Sequence, residues 1–233
     1  MKTITAQKPL AEVMGYIERW QSVYIIGCGT CATMCRTGGK AEVMAMKAEI
    51  ETSGKKVTGW MVVPTACDEL VADAMREESE DIAAADCILV MSCSFGVQTI
   101  SLHQTKPIYP ALDTLFLGIE DRPGHFVEVC AQCGKCVLGR TAAICPLVRC
   151  AKSLFNGPCG GSSGGKCEIS ENVPCAWQMI YDRLAEMGLL DELDEIEPVK
   201  DWDVSSSGGP RAADVDAECG VVPRAEKAEV QTT

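Results

Sequence analysis

The sequence predicts an α/β protein whose parallel, doubly wound sheet is followed by a small cysteine-rich, metal-stabilised module and then by a flexible acidic tail. Three observations predict it. Through the first half of the 233 residues, short apolar runs alternate with segments of helical period. That alternation implies βαβ crossovers, with helices on both faces of a sheet of the Rossmann or flavodoxin-like kind. Eight of the 15 cysteines then fall between Cys130 and Cys175, where apolar periodicity is lost. From residue 204 onward the chain is Ser, Gly, Ala and charge without period, the composition of a flexible segment. The expected division is therefore 1–122 for the α/β domain, 123–203 for the cysteine-rich module and its closing helix, and 204–233 for the tail.

The elements follow in order. Leu10, Val13, Met14 and Ile17 stand at helical spacing and predict a helix over 9–20. The apolar run 23–26, closed by Gly27, predicts the first strand. A helix over 40–51 rests on Ala41, Val43, Met44, Met46 and Ile50 and stops at Ser53-Gly54. Residues 57–63 read as a second strand, 68–84 as a helix, 87–91 as a third strand, 96–102 as a short helix and 107–109 as a fourth strand. Pro174 suits the first turn of a helix that runs to about Met187, with Gly188 as its C-cap. Its stripe of Trp177, Ile180 and Leu184 reads as core.

Composition excludes several functions. A net charge of −12 and a pI near 4.7 argue against nucleic acid or an anionic membrane surface as partner. No apolar run reaches the length of a membrane span, and the first twenty residues lack the basic and apolar regions of a signal peptide. The expected location is the cytoplasm. Structural disulfides are rare there, and an odd number of cysteines cannot pair fully.

The cysteines form two groups that suit metal. Upstream, Cys28, Cys31 and Cys35 follow the first strand as C-x2-C-x3-C. Downstream, Cys130, Cys133 and Cys136 form C-x2-C-x2-C and are followed by Cys145, Cys150, Cys159, Cys167 and Cys175. With only two histidines, His103 and His125, neither inside these spacings, the ligands must be almost all thiolates, which leaves zinc or iron-sulfur clusters. Three close cysteines plus a distant fourth is the iron-sulfur habit. Two 4Fe-4S clusters are expected, or three, with zinc an alternative at one downstream site. In a doubly wound sheet, ligands sit beyond the carboxyl ends of the strands, and Cys67 and Cys93 follow the second and third strands there. Cys93 is the expected fourth upstream ligand with Cys67 in reserve; the bland alternative makes both small buried residues. Cys87 lies inside a strand and reads as core, and Cys219 in the tail as a spare thiol. Thr37-Gly38-Gly39-Lys40 could take an anion at a helix start, although a plain glycine turn explains it as well. No P-loop, dinucleotide fingerprint, zinc-protease motif or nucleophile elbow is present, so no catalytic residue is assigned and electron transfer is favoured over substrate chemistry.

The stretch C-A-Q-C-G-K-C-V-L-G-R-T-A-A-I-C-P-L-V-R-C-A-K-S-L-F-N-G-P-C-G-G at 130–161 resembles the cysteine-rich domain named for the C-terminal part of certain methylenetetrahydrofolate reductases. G-C-G-T-C-A-T-M-C-R-T-G-G-K-A-E-V at 27–43, M-S-C-S-F-G-V-Q-T at 91–99 and the K-D-W and G-G-P-R of 200–211 are similar to the small iron-sulfur subunit of the acetogen-type enzyme. The resemblance covers roughly residues 20–211. It implies a non-flavin subunit that passes electrons to a flavin-bearing (β/α)8 catalytic subunit, which reduces methylenetetrahydrofolate in one-carbon metabolism. A ferredoxin or another redox protein would be its electron donor. It carries cluster ligation onto Cys28, Cys31 and Cys35 and onto the cysteines of 130–175, and no folate or flavin residue. The acidic tail after Arg211 departs from the family. Two further readings stay open: a zinc-structured interaction module without redox function, and a self-contained iron-sulfur enzyme.

Overall fold

In the computed structural model, residues 2–209 are described. Cys219 and most of the expected tail lie outside them. The described chain divides into two compact units, the first ending at Glu128 and the second starting at Val129.

The first unit opens with strand β1 (Lys2–Gln7) and helix α1 (Leu10–Tyr16), then enters strand β2 (Ser22–Cys28). A single turn, α2 (Cys31–Met34), leads to helix α3 (Lys40–Thr52) and strand β3 (Lys56–Val63). Helices α4 (Val71–Glu77) and α5 (Ser79–Ala84) precede β4 (Cys87–Met91), α6 (Ser94–Leu102) and β5 (Ile108–Pro110). The hairpin β6 (Leu112–Arg122) and β7 (His125–Glu128) closes the unit.

Strands β3, β2, β4 and β5 form, in that spatial order, a fully parallel four-stranded sheet. From β2 the chain crosses to β3 on one side, then returns to place β4 on the other. Every residue of β4, and all but the first of β2, is buried, as expected when both faces of a parallel sheet are covered. Alternate residues serve opposite faces. Val23, Ile25, Leu89 and Met91 pack with Val13 and Ile17, and with Val43, Met46 and Ile50 of α3. Tyr24, Ile26, Ile88 and Val90 pack with Met75, Ile82 and Ile100 of α4, α5 and α6. Each such aliphatic side chain, fully withdrawn from water, contributes about 1.5–3 kcal/mol.

Several expectations need correction. The first helix stops at Tyr16, and Trp20 instead donates its indole N–H to the Tyr109 hydroxyl at 3.1 Å. The helix expected over 68–84 breaks at Glu78, whose ψ of 19° interrupts it. Sequence periodicity missed β1, β6 and β7, which form a separate antiparallel sheet in the order β1-β6-β7. Thr3 and Thr5 occupy buried positions of β1, so its inward face carries hydroxyls that an apolar pattern cannot register.

In the second unit, the short helix α7 (Pro146–Arg149) is followed by the hairpin β8 (Lys166–Cys167) and β9 (Ser170–Pro174), then by α8 (Ala176–Met187). Trp177, Ile180 and Leu184 of α8 bury against Ala142, and the Trp177 indole N–H donates to Leu154 O at 2.9 Å. Gly188 ends α8 at φ 70°, the left-handed cap expected of it. Pro174 closes β9 rather than opening the helix. Residues 204–209 do not belong to a tail: Ser205 is buried and 206–208 form a 3-10 turn.

Candidate functional site

The carboxyl ends of β2, β3 and β4 lie side by side, with Cys28 paired to Val63 and Gly27 to Met91. Cys28 is the last residue of β2. Its N–H donates to Gly38 O at 3.0 Å, its carbonyl accepts from Thr33 Oγ1 at 2.7 Å, and its Sγ stands 3.3 Å from Thr30 Oγ1. Gly27 permits this fold of the loop, because a Cβ there would meet Gly38 O and Val43 Cγ2 at 2.6 Å. Cys31 starts α2. Cys93, buried, is the N-cap of α6. The loop after β3 packs beside it, since the bare Cα of Gly96 admits the Ala66 methyl where a Cβ would lie only 2.7 Å away. Next to Ala66, partial burial pushes the Cys67 thiol upward, and Cys93, Cys28 and Cys31 push it the same way. The loops beyond the strand ends therefore place Cys28, Cys31 and Cys93 within electrostatic reach of Cys67. Cys35 Sγ faces Thr3 O of β1 at 3.9 Å.

Cys87 is fully buried in β4, and desolvation pushes its thiol up to about 11. The start of α3 holds its own anion: the Gly39 N–H donates to Glu42 Oε2 at 3.0 Å. A plain glycine turn is thus the role of 37–40. His125 pairs with Asp121 at 2.5 Å in the β6–β7 hairpin, and His103 follows α6 at the end opposite Cys93.

The downstream thiols fall into two sets. Cys130, Cys133 and Cys136 lie on a loop bent by left-handed residues at Gln132 (φ 54°) and Gly134 (φ 84°). The Gln132 N–H donates to Cys130 Sγ at 3.3 Å. Cys145 is the N-cap of α7, ahead of Pro146. Cys150, which ends α7, Cys159, Cys167 of β8 and Cys175, the N-cap of α8, line one cavity of about 20 Å³ with Lys152 and Glu168. The Gly161 N–H and, more weakly, the Lys152 ammonium hold the Cys159 thiol below its ordinary value.

A sulfur-only donor set suits thiophilic metal. Cys150, Cys159, Cys167 and Cys175 share a cavity without converging on a point: among the described residues, no three or more His, Cys, Asp or Glu side chains close on a metal position. Sequence reasoning missed a larger cavity of about 370 Å³ in the second unit, walled by Val137, Phe155, Trp177 and Tyr181 and edged by Arg140 and Glu197. Its walls come from segments far apart in the chain, so no local pattern announces it.

Among the described residues no helix is long and apolar enough to cross a membrane. No curated protein matches the chain. A crystal structure from Rhodospirillum rubrum, provisionally described as a branched-chain amino acid ABC transporter, is 20% identical at a TM-score of 0.32. The match covers 43% of this chain and 28% of that one, a likeness too slight to inform the fold. Residues 109–203, which hold all eight downstream cysteines, match the family model described as methylene-tetrahydrofolate reductase C terminal, so this part of the chain is related to that family.

Proposed function

We propose that this chain is an iron-sulfur electron-transfer subunit that delivers electrons to a flavin-bearing methylenetetrahydrofolate reductase catalytic subunit. The observation that carries the reading is the coincidence of the 109–203 family match with eight cysteines that include four around one cavity. The strand-tip thiols Cys28, Cys31, Cys67 and Cys93 support it from the first unit. In this reading those four hold one 4Fe-4S cluster, and Cys130, Cys133, Cys136, Cys145, Cys150, Cys159, Cys167 and Cys175 hold one or two more. Clusters so held would store and pass single electrons. The chain's own part is to supply thiolates from rigid strand ends and helix caps and to present them to a partner.

The test is anaerobic purification followed by iron, sulfide and zinc analysis, with co-expression of the flavoprotein. A brown protein that co-purifies with the flavoprotein and reduces its flavin supports the reading. A colourless, zinc-loaded chain would instead establish the structural module, and folate reduction by the isolated chain the self-contained enzyme.

A further inference from the structure

We infer that Lys200 is the internal counter-cation of the thiolate loop 130–136, so that its charge sets how firmly the loop holds metal and at what potential. The inference rests on the reading above that this loop binds metal. Lysine is almost never fully buried unless paired, yet Lys200 is 6% exposed. Its ammonium donates to the backbone carbonyl of Lys135. Cys133 Sγ lies 3.8 Å from that same oxygen, so the ammonium and the sulfur approach one and the same carbonyl. The Trp202 ring centroid is 5.8 Å from Nζ and offers only a weak electrostatic face.

Among the described residues no carboxylate forms an ion pair with Lys200. Asp201 accepts from the Asp203 N–H at 2.9 Å, and Glu197 is taken by Arg140 at 3.4 Å and Lys135 at 3.9 Å. An ammonium withdrawn from water without an anion is strongly unfavourable, and neutral thiols supply no charge to offset it. Thiolates do, and a metal bound by several of them keeps the site net negative.

The contact is built into the fold. Gly134, in the middle of the loop, has φ 84°, and a Cβ there would meet Val204 Cγ2 at 2.5 Å and Val204 O at 2.8 Å. Ser205, also buried, donates its hydroxyl to Trp202 O at 2.5 Å. The segment 200–205 is thus clasped to the cysteine loop and delivers Lys200 to it. Lys200 is a positioning and charge-balancing residue.

The experiment uses the full chain, purified anaerobically, with metal content measured first. Lys200→Met keeps bulk and removes charge; Lys200→Arg keeps charge and changes shape. K200M is expected to lose metal to a chelator about tenfold faster than wild type, as outer-sphere partners of metal ligands typically allow. Where the metal is iron-sulfur, K200M also lowers the midpoint potential, because the reduced state carries the extra negative charge; K200R resembles wild type in both. Pure packing predicts the reverse order of the two variants. Should K200M fail to fold, Lys200→Gln replaces it in the same comparison. Metal-loaded protein in which the neutral variant matches wild type in chelator loss and potential overturns this inference alone. A wild-type chain without metal overturns the parent reading and this one with it.

Discussion

Thr5 Oγ1 and Thr37 Oγ1 are 2.6 Å apart, a buried hydrogen bond that ties β1 of the antiparallel sheet to the loop behind the strand-tip cysteines. Thr37 gives its own hydroxyl proton to Ala32 O at 3.2 Å, so Thr5 is the donor between the two. Gln7 Nε2 adds a hydrogen bond to Thr37 O at 3.0 Å. The antiparallel sheet therefore braces the loop that carries Cys31 and Cys35.

Replacing Thr5 with Val leaves the Thr37 hydroxyl short of a buried partner and is expected to cost about 1–3 kcal/mol. Urea unfolding of the full chain under reducing, anaerobic conditions measures it. A change within error would mean that the brace contributes nothing to stability.

Gly38→Ala is expected to be far more damaging. An added Cβ would overlap the Met91 carbonyl, which is backbone inside the sheet and cannot swing away. Loss of soluble protein, or destabilisation of about 3 kcal/mol or more, is the expected outcome. Gly54→Ala is the contrasting control: no atom lies within 4 Å of its Cβ, and only its φ of 87° opposes the change.

In the proposed upstream cluster, Cys28→Ser, Cys67→Ser and Cys93→Ser should each lower the iron content of the anaerobic protein by the same amount, because Cys28 and Cys93 act electrostatically on Cys67 beyond the carboxyl ends of the strands. Cys35→Ser should lower it less, given that its sulfur faces Thr3. Cys87→Ser should leave iron unchanged. Equal iron loss in the Cys35 and Cys93 variants would contradict the grouping.

Cys87 also predicts a pH effect. Burial raises its thiol from 9.0 to about 11, so the folded state keeps a proton that the unfolded chain releases. The stability linked to this group is fully present below pH 9 and is lost as pH rises from 9 to about 11. Cys87→Ala should flatten the alkaline limb of stability against pH, read by denaturant unfolding at matched ionic strength.

A fragment ending at Glu128 contains both sheets of the first unit and the four strand-tip thiols. It is expected to fold alone and to retain iron, with its own visible absorption. A folded fragment that binds none would contradict an upstream cluster held by these four thiols.

Much of this was legible in the sequence. The strands of the parallel sheet are runs with both faces buried, such as Val23–Ile26 and Cys87–Met91, and they stand out because every residue in them is apolar. Gly188 was readable as a helix cap because few other residues accept its φ. The hairpin 112–128 was not readable: Asp113, Thr114, Glu120 and Asp121 interrupt its apolar residues, and its partner β1 lies more than a hundred residues upstream.

By itself, the sequence determined the supply of thiols, with almost no imidazole beside them, and the placement of Cys28, Cys67 and Cys93 after successive strands, since strand and helix periods are local properties. Which sulfurs become neighbours was decided only by the tertiary structure. The loop after β3 packs its Ala66 against Gly96 of α6 and so brings Cys67 toward Cys93, Cys35 faces Thr3, and four downstream cysteines from separate turns line one cavity. Lys200 shows the same limit: it lies 65 residues from Lys135 in sequence, and no spacing rule could pair that lysine with the cysteine loop, because long-range packing and the cost of burying a charge set the contact.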